Sequence, residues 1–278
     1  MSPAPDRMHA AAPDNRSLLL DRYRQQLKRE QIKVWAIQIG AFAVSIVLWE
    51  LTVRLGLVRE ILVGQPTRII AILDRMARDG SLFSHSWITI FETLSGFVLG
   101  VAGGAACGLL LWWSRTAERV LDPIMVILNS LPKIALTPIF LLWFGVGVAM
   151  KFALCFSTVF VVVFLTAAAG IKETDHELQQ LTAALGGTRW QIFRNVVVPS
   201  SVPWLISAMK LGIGFGLTGA VVGEFVAANQ GIGYLLLYGA QIYDMSVVWA
   251  GIVVLVVVAI AMYACVVLIE RMTLAWRD

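Results

Sequence analysis

Residues 172–203 read KETDHELQQLTAALGGTRWQIFRNVVVPSSVP, a polar insertion between two apolar runs at 150–171 and 206–228. Each flanking run is about 20 residues long, the length a helix needs to cross a hydrocarbon layer roughly 30 Å thick. The insertion is therefore an excursion out of a membrane. Its first half sets Thr174-x-x-Glu177 ahead of Leu178, Leu181 and Leu185, a capping pattern followed by one apolar face. A short helix is expected to begin there and to stop at Gly186-Gly187. A second helix is expected from about Thr188, with Trp190, Phe193, Val196 and Val197 on its apolar side. Pro199 and Pro203 then mark the return into the membrane. Helix, glycine break, helix makes a compact knob with an apolar top, a shape suited to a partner's groove.

The rest of the chain has the same character. Its 278 residues are 58% hydrophobic with mean hydropathy +0.77, more apolar surface than one soluble core of this length could enclose. Charged residues are only 14% and gather between apolar runs at roughly 34–53, 88–113, 120–144, 150–171, 206–228 and 247–269. The fold class expected is an all-α membrane protein with about six transmembrane helices. Residues 1–33 form an N-terminal tail, in which Ser17 to Lys33 alternates apolar and charged residues at helical spacing. The transmembrane domain runs over 34–270, and 271–278 form a second tail. The polar stretch before the first span is too long for a secretory leader, so that span is read as retained. A formal charge of +4 does not point to nucleic acid, because the Lys and Arg residues lie at span ends instead of on one basic face. Cys107, Cys155 and Cys265 sit singly in apolar runs, without disulfide or zinc spacing.

Charge sets the expected orientation. With the N-terminus inside, fifteen of the 22 Lys and Arg residues fall on the inner side, six outside, and Lys133 within a span. The positive-inside rule then places both termini in the cytoplasm. The five arginines of the first outer loop, Arg54 to Arg78, are interleaved with Ile69, Ile70, Ile72 and Leu73, which predicts an amphipathic surface helix after Pro66. Residues 228–246 contain no Lys or Arg at all.

Within the spans, glycines at 96, 100, 104 and 108 recur every fourth residue, and Gly212, Gly216, Gly219 and Gly223 repeat the device. Such grooves let helix backbones approach closely, for tight packing or for sliding during gating. Pro132 and Pro138 break the third span and free backbone carbonyls, as expected of a pathway wall. Lys133 beside the first break is the candidate for attracting an anion, and snorkelling or pairing with Glu224 is the alternative. Glu224 is read as a gate or helix-pairing group, and Gly231 and Gly233 follow it as further pathway or gate candidates.

The insertion resembles the EAA loop of binding-protein-dependent ABC importer permeases, whose pattern is Glu-Ala-Ala, three residues, Gly, nine residues, Ile-x-Leu-Pro. Gly186 and Pro199 keep the spacing, and Val196 and Val198 stand for the Ile and Leu. Gln180-Leu181-Thr182 replaces Glu-Ala-Ala, so docking is expected to rest on shape and apolar contact around Leu181, Leu185 and Trp190. Leu131-Pro132-Lys133-Ile134-Ala135-Leu136-Thr137-Pro138, Leu142-Trp143-Phe144-Gly145 and Gly231-Ile232-Gly233-Tyr234-Leu235 extend the resemblance to the nitrate, sulfonate and taurine branch.

The resemblance implies a type I, MetI-like importer permease fold in a bacterial inner membrane. Two such chains, as a homodimer, form the pathway for a small anionic solute. Two copies of an ATP-binding cassette subunit dock on Gln180, Leu181, Leu185, Gly186, Gly187, Trp190, Phe193 and Pro199, and a periplasmic substrate-binding protein delivers the solute. No nucleic acid is involved. The chain itself needs no cofactor and is not an enzyme. ATP-Mg belongs to the partner, in keeping with the absence of a G-x-x-x-x-G-K-[ST] motif here. A secondary transporter predicts internal repeat symmetry that the sequence lacks. A membrane enzyme predicts clustered catalytic residues, whereas His9, His85 and His176 are scattered.

Overall fold

A computed structural model describes residues 15–273, so the expected tails lie partly outside it, at 1–14 and 274–278. The described residues are helical, and the chain divides into two compact units between Val58 and Arg59. The first unit is α1 (Asn15–Arg54), 40 residues in one unbroken helix. At 1.5 Å per residue it is about 60 Å long, twice the hydrocarbon thickness. The amphipathic stretch expected on the membrane surface and the first span are thus one rod. Val34, Trp35, Ile37, Ile39 and Phe42 are exposed along it, as lipid-facing side chains are.

The second unit begins with α2 (Glu60–Val63) and α3 (Pro66–Arg78), continues with α4 (Ser81–Leu110), α5 (Arg115–Ser130) and α6 (Thr137–Phe144), and then with α7 (Val148–Lys172). It closes with α8 (His176–Ala184), α9 (Arg189–Ile192), α10 (Val198–Ala227), α11 (Ile232–Gln241) and α12 (Met245–Thr273). Among the described residues five helices are long and apolar enough to cross a membrane, and the bent pair α5 and α6 makes six.

The core is α7 held between α4 and α10. Both glycine series face it. A Cβ at Gly96 would lie 2.6 Å from the Cys155 Cβ, at Gly100 2.8 Å from the Val159 Cβ, and at Gly108 2.6 Å from the Ala167 Cβ. On the other flank a Cβ at Gly219 would lie 2.9 Å from the Cys155 Cα. At these four positions no residue larger than glycine fits without moving a backbone, the close-approach packing on which helices rely where lipid supplies no hydrophobic drive. Met150, Leu154, Val159, Val163, Phe164 and Ala167 of α7 are accordingly buried.

The two breakers in the third span have different outcomes. At Pro132 the chain leaves α5, passes through a 3-10 turn over Lys133–Leu136 and re-enters α6 at an angle of 92°. Pro138 sits in the first turn of α6, where its missing N–H costs nothing. The amphipathic helix expected after Pro66 is α3, which packs on α12 and α4 through buried Ile69 and Met76.

Candidate functional site

Three constellations carry the candidate residues, two at opposite ends of the α4–α7–α10 core and one along the side of α7 and α10. At one end the C-termini of α4 and α7 meet α8, α9 and the start of α10. At the other the N-termini of α4 and α7 meet the C-terminus of α10 and α11.

The knob occupies the first end. Its cap falls one residue later than the Thr174 pattern suggests: the Asp175 carboxylate accepts from the Glu177 N–H at 2.7 Å, while the Thr174 hydroxyl donates back to Gly170 O. Helix α8 ends at Ala184. Gly186 then adopts φ +85°, and the Gly187 N–H donates to Thr182 O at 2.9 Å, closing the last turn. A Cβ at Gly187 would lie 2.7 Å from that same oxygen, so both glycines are fixed by geometry. Helix α9 opens on a full capping box, with the Gln191 N–H donating to Thr188 Oγ1 and the Thr188 N–H to Gln191 Oε1. A π-helical turn over Phe193–Val197 joins it to α10, whose first turn holds Pro199.

Leu181, Leu185 and Trp190 are 56, 81 and 56% exposed, and Gln180 is exposed beside them, so most of the apolar top is left uncovered by the described residues. Phe193 instead faces inward as part of the knob's seat. Its ring lies 5.6 Å from Trp112, 5.7 Å from Trp113 and 5.7 Å from Trp190. The two tryptophans, in the 3-10 turn that ends α4, were not singled out from sequence. Adjacent aromatics at a span end are the signal, although they also suit a plain interfacial belt.

A cleft of about 340 Å³ lies beside the break, lined by Asn129 to Ile134, by Leu154, Thr158 and Val162 of α7, and by Phe215, Thr218, Gly219 and Val222 of α10. Pro132 and Lys133 are on its wall, whereas Pro138 is not. Leu128 O is the carbonyl that residue 132 would satisfy in a continuous helix, and proline has no N–H to offer. The Lys133 ammonium donates to that oxygen instead. Lysine next to proline thus repairs the break while keeping a cation at the cleft. It does not pair with Glu224.

Glu224 is fully buried at the opposite end, where it accepts from the Thr89 hydroxyl at 2.6 Å and from the Gly233 N–H. Thr89 Oγ1 also accepts from the Ile232 N–H at 2.8 Å, and His85 Nδ1 from the Gly231 N–H at 3.0 Å. Three consecutive donors at the start of α11, which lacks a cap of its own, are therefore satisfied by side chains of α4 and α10. The glycines follow from this arrangement: a Cβ at Gly231 would lie 2.3 Å from Glu224 Oε1, and one at Gly233 2.7 Å from Oε2. Glu224, Gly231 and Gly233 form one latch, to which the structure adds His85 and Thr89.

Next to it Lys151 of α7 forms a buried ion pair with Glu92 of α4. Lys151 is the sixth of the cations that the charge count puts outside, and Glu92 is not among the residues that the sequence pattern marks. The missed signal was a carboxylate inside an apolar run, the same one that drew attention to Glu224. Outside the spans Arg68 clamps Glu60 at 2.7 Å and Asp244 at 2.6 Å, and the bond to Glu60 raises its already high pKa.

A spanning bundle with one broken span, a cleft beside the break and an unpartnered knob at one end has the build of a membrane permease subunit. Residues 96–274 match the model of the binding-protein-dependent transport system inner membrane component, and the chain belongs to this family. It is 31% identical over 236 residues to a Bacillus subtilis aliphatic sulfonates transport permease protein, SsuC, covering 85% of this chain and 86% of that one. It is 25% identical to the taurine transport system permease protein TauC of Escherichia coli, covering 87 and 90%. With the formylaminopyrimidine transport permease protein ThiX of Halalkalibacterium halodurans it shares 29% identity over 85 and 94%. The inward-facing MetNI methionine ABC transporter shares the fold, with TM-score 0.63 at 22% identity over 71% of this chain and 98% of that one. The protein is thus the translocating subunit of an ABC importer. It is not an enzyme, and ATP hydrolysis in such importers belongs to a separate subunit.

Proposed function

We propose that the chain works as a homodimer with both termini in the cytoplasm, that the α8–α9 knob of each copy seats in one of two Mg-ATP-binding subunits, and that a periplasmic binding protein delivers the solute. The observation that carries this reading is the knob: an apolar top left largely exposed among the described residues, on a base locked by two glycines, a capping box and an aromatic seat. Such rigidity suits a lever better than a flexible loop would. Docking rests on Leu181, Leu185 and Trp190, with Gln180 supplying a hydrogen bond in place of a charge.

The solute class proposed is a small organic sulfonate. Two of the relatives above carry sulfonate or taurine in their names, and Lys133 puts an ammonium on the cleft wall. Uptake of radiolabelled taurine or ethanesulfonate into proteoliposomes holding the full complex tests this. Lys133→Ala lowers that uptake much more than it lowers complex assembly. Equal loss of both would reduce Lys133 to its repair of Leu128 O, and uptake of a formylaminopyrimidine in preference to any sulfonate would overturn the solute class.

A further inference from the structure

The end of the core that carries the knob also holds a second cleft, of about 540 Å³, lined by Trp112, Trp113, Arg115, Glu118, Lys172, His176, Gln179 and Arg189. Its charge is lopsided. Three permanent cations face a single carboxylate, and Lys172 already spends its charge on Asp122 at 2.8 Å and Glu118 at 3.6 Å. Arg115 and Arg189 have no carboxylate partner among the described residues. The Arg189 guanidinium carbon is instead held 5.6 and 5.7 Å from the ring centroids of Trp112 and Trp113, which fixes its position without using its N–H donors. The Trp112 indole N–H donates to Gln179 Oε1 at 3.3 Å, which leaves the amide NH2 of Gln179 as a further donor on the wall.

Positive charge at a span end is ordinary, but scattered solvated cations do not need a concave pocket or an aromatic shelf. Here two guanidiniums, an amide and an imidazole rim one recess at the level of two interfacial tryptophans, where spans meet headgroups. Guanidinium forks pair bidentately with phosphate as with carboxylate oxygens, and phosphate is the anion that a headgroup layer presents.

We propose that this recess is a phosphate-binding site, filled by the headgroup phosphate of an anionic phospholipid or by a free phosphate ester. Its walls come from α4, α5, α7, α8 and α9, so an occupant ties the knob to the ends of the spans. The proposal is independent of which face of the membrane the knob occupies, because both faces present headgroups.

The test uses the purified full complex. Phosphatidylglycerol retained after delipidation is counted by native mass spectrometry, and thermal unfolding is followed with and without inorganic phosphate in zwitterionic detergent. Arg115→Gln removes a side chain with no ion pair, and Arg115→Gln with Arg189→Gln empties the rim. Each arginine lost weakens phosphatidylglycerol retention about fivefold. Retention lost in the variants, with no stabilisation by phosphate, assigns the site to lipid. Stabilisation by millimolar phosphate that the double variant lacks assigns it to a free ester. Arg115→Gln guards against damage to the Trp112–Trp113 shelf, since it leaves Arg189 in place. If that variant and the double variant both match wild type in retention and in phosphate response, the site does not exist.

Discussion

Thr89→Val is the sharpest single perturbation of the latch, because valine keeps the shape and removes only the hydroxyl. That hydroxyl donates to Glu224 Oε1 at 2.6 Å and accepts from the Ile232 N–H at 2.8 Å, with no exposure to solvent. The substitution strands two buried groups at once. An unsatisfied buried donor or acceptor costs about 1–3 kcal/mol, more when it is charged, so the loss is about 3–6 kcal/mol. For a domain of this size each kilocalorie moves the melting temperature by about 2–4 °C, which predicts a fall of at least about 6 °C. Thr89→Ser is the control, since it keeps both hydrogen bonds and loses one methyl, at about 1 kcal/mol. Thermal unfolding of the purified complex in one detergent measures both variants. Equal shifts would show that the hydroxyl does not hold α11, and the latch would reduce to packing.

Other substitutions separate the remaining parts. Lys151→Met leaves the Glu92 carboxylate uncompensated and destabilises by about 3–5 kcal/mol, whereas Lys151→Met with Glu92→Leu recovers most of the loss in the same melting assay. Gly100→Leu, whose Cβ alone would lie 2.8 Å from Val159, costs about 1–3 kcal/mol or more and lowers yield of the inserted chain. Gly186→Leu forces a branched residue into φ +85° and abolishes co-purification of the ATP-binding subunit while the chain still inserts; unchanged co-purification and transport would remove the knob's docking role. The Ser81 hydroxyl and N–H hold the Asp79 carboxylate below its usual range. Its folded pKa is depressed, so its support for the start of α4 is present above the unfolded value and is lost as pH falls through the folded one. Hydrogen exchange at residues 81–85, corrected for intrinsic rate, speeds up on acidification, and Asp79→Asn removes that dependence.

The spans and the knob were legible because their signals are local. Apolar run length, glycines every fourth residue and a double glycine between two short helices each act within a few turns of chain. The cap of α8 was misplaced by one residue because Thr174 and Asp175 are both cap formers, and only the exit angle of α7 decides between them. Lys151 and Glu92 were not legible as a pair. They stand 59 residues apart, and their meeting depends on the register of α4 against α7, which the sequence encodes only through the glycines that lock it. His85 and Thr89 were hidden for the same reason: they cap a helix that begins more than 140 residues later. Lys133 stands out in sequence as a cation within a span, but its bond to Leu128 O follows from what proline lacks and not from any charge partner.

That locked register decides between the two uses open to the glycine grooves. For α4 to slide along α7 by less than a full turn, Cα-level contacts at Gly96, Gly100, Gly104 and Gly108 would have to pass over Cys155, Val159, Val163 and Ala167, side chains already at the limit of approach. A full-turn jump of about 5.4 Å would break the Glu92–Lys151 pair in a dry interior. The grooves therefore make α4, α7 and α10 one stiff block, with the knob at one end and the latch at the other. On the docking proposed above, a push on the knob would displace that block as a unit, with bending concentrated where backbone regularity is already lost. Those places are the π-helical turn over Phe193–Val197 and the 92° break after Ser130. The second of these carries Lys133 and borders the cleft, so on the docking proposed above a push at the knob would reach the pathway through the break that Pro132 creates and the Lys133 bond to Leu128 O spans.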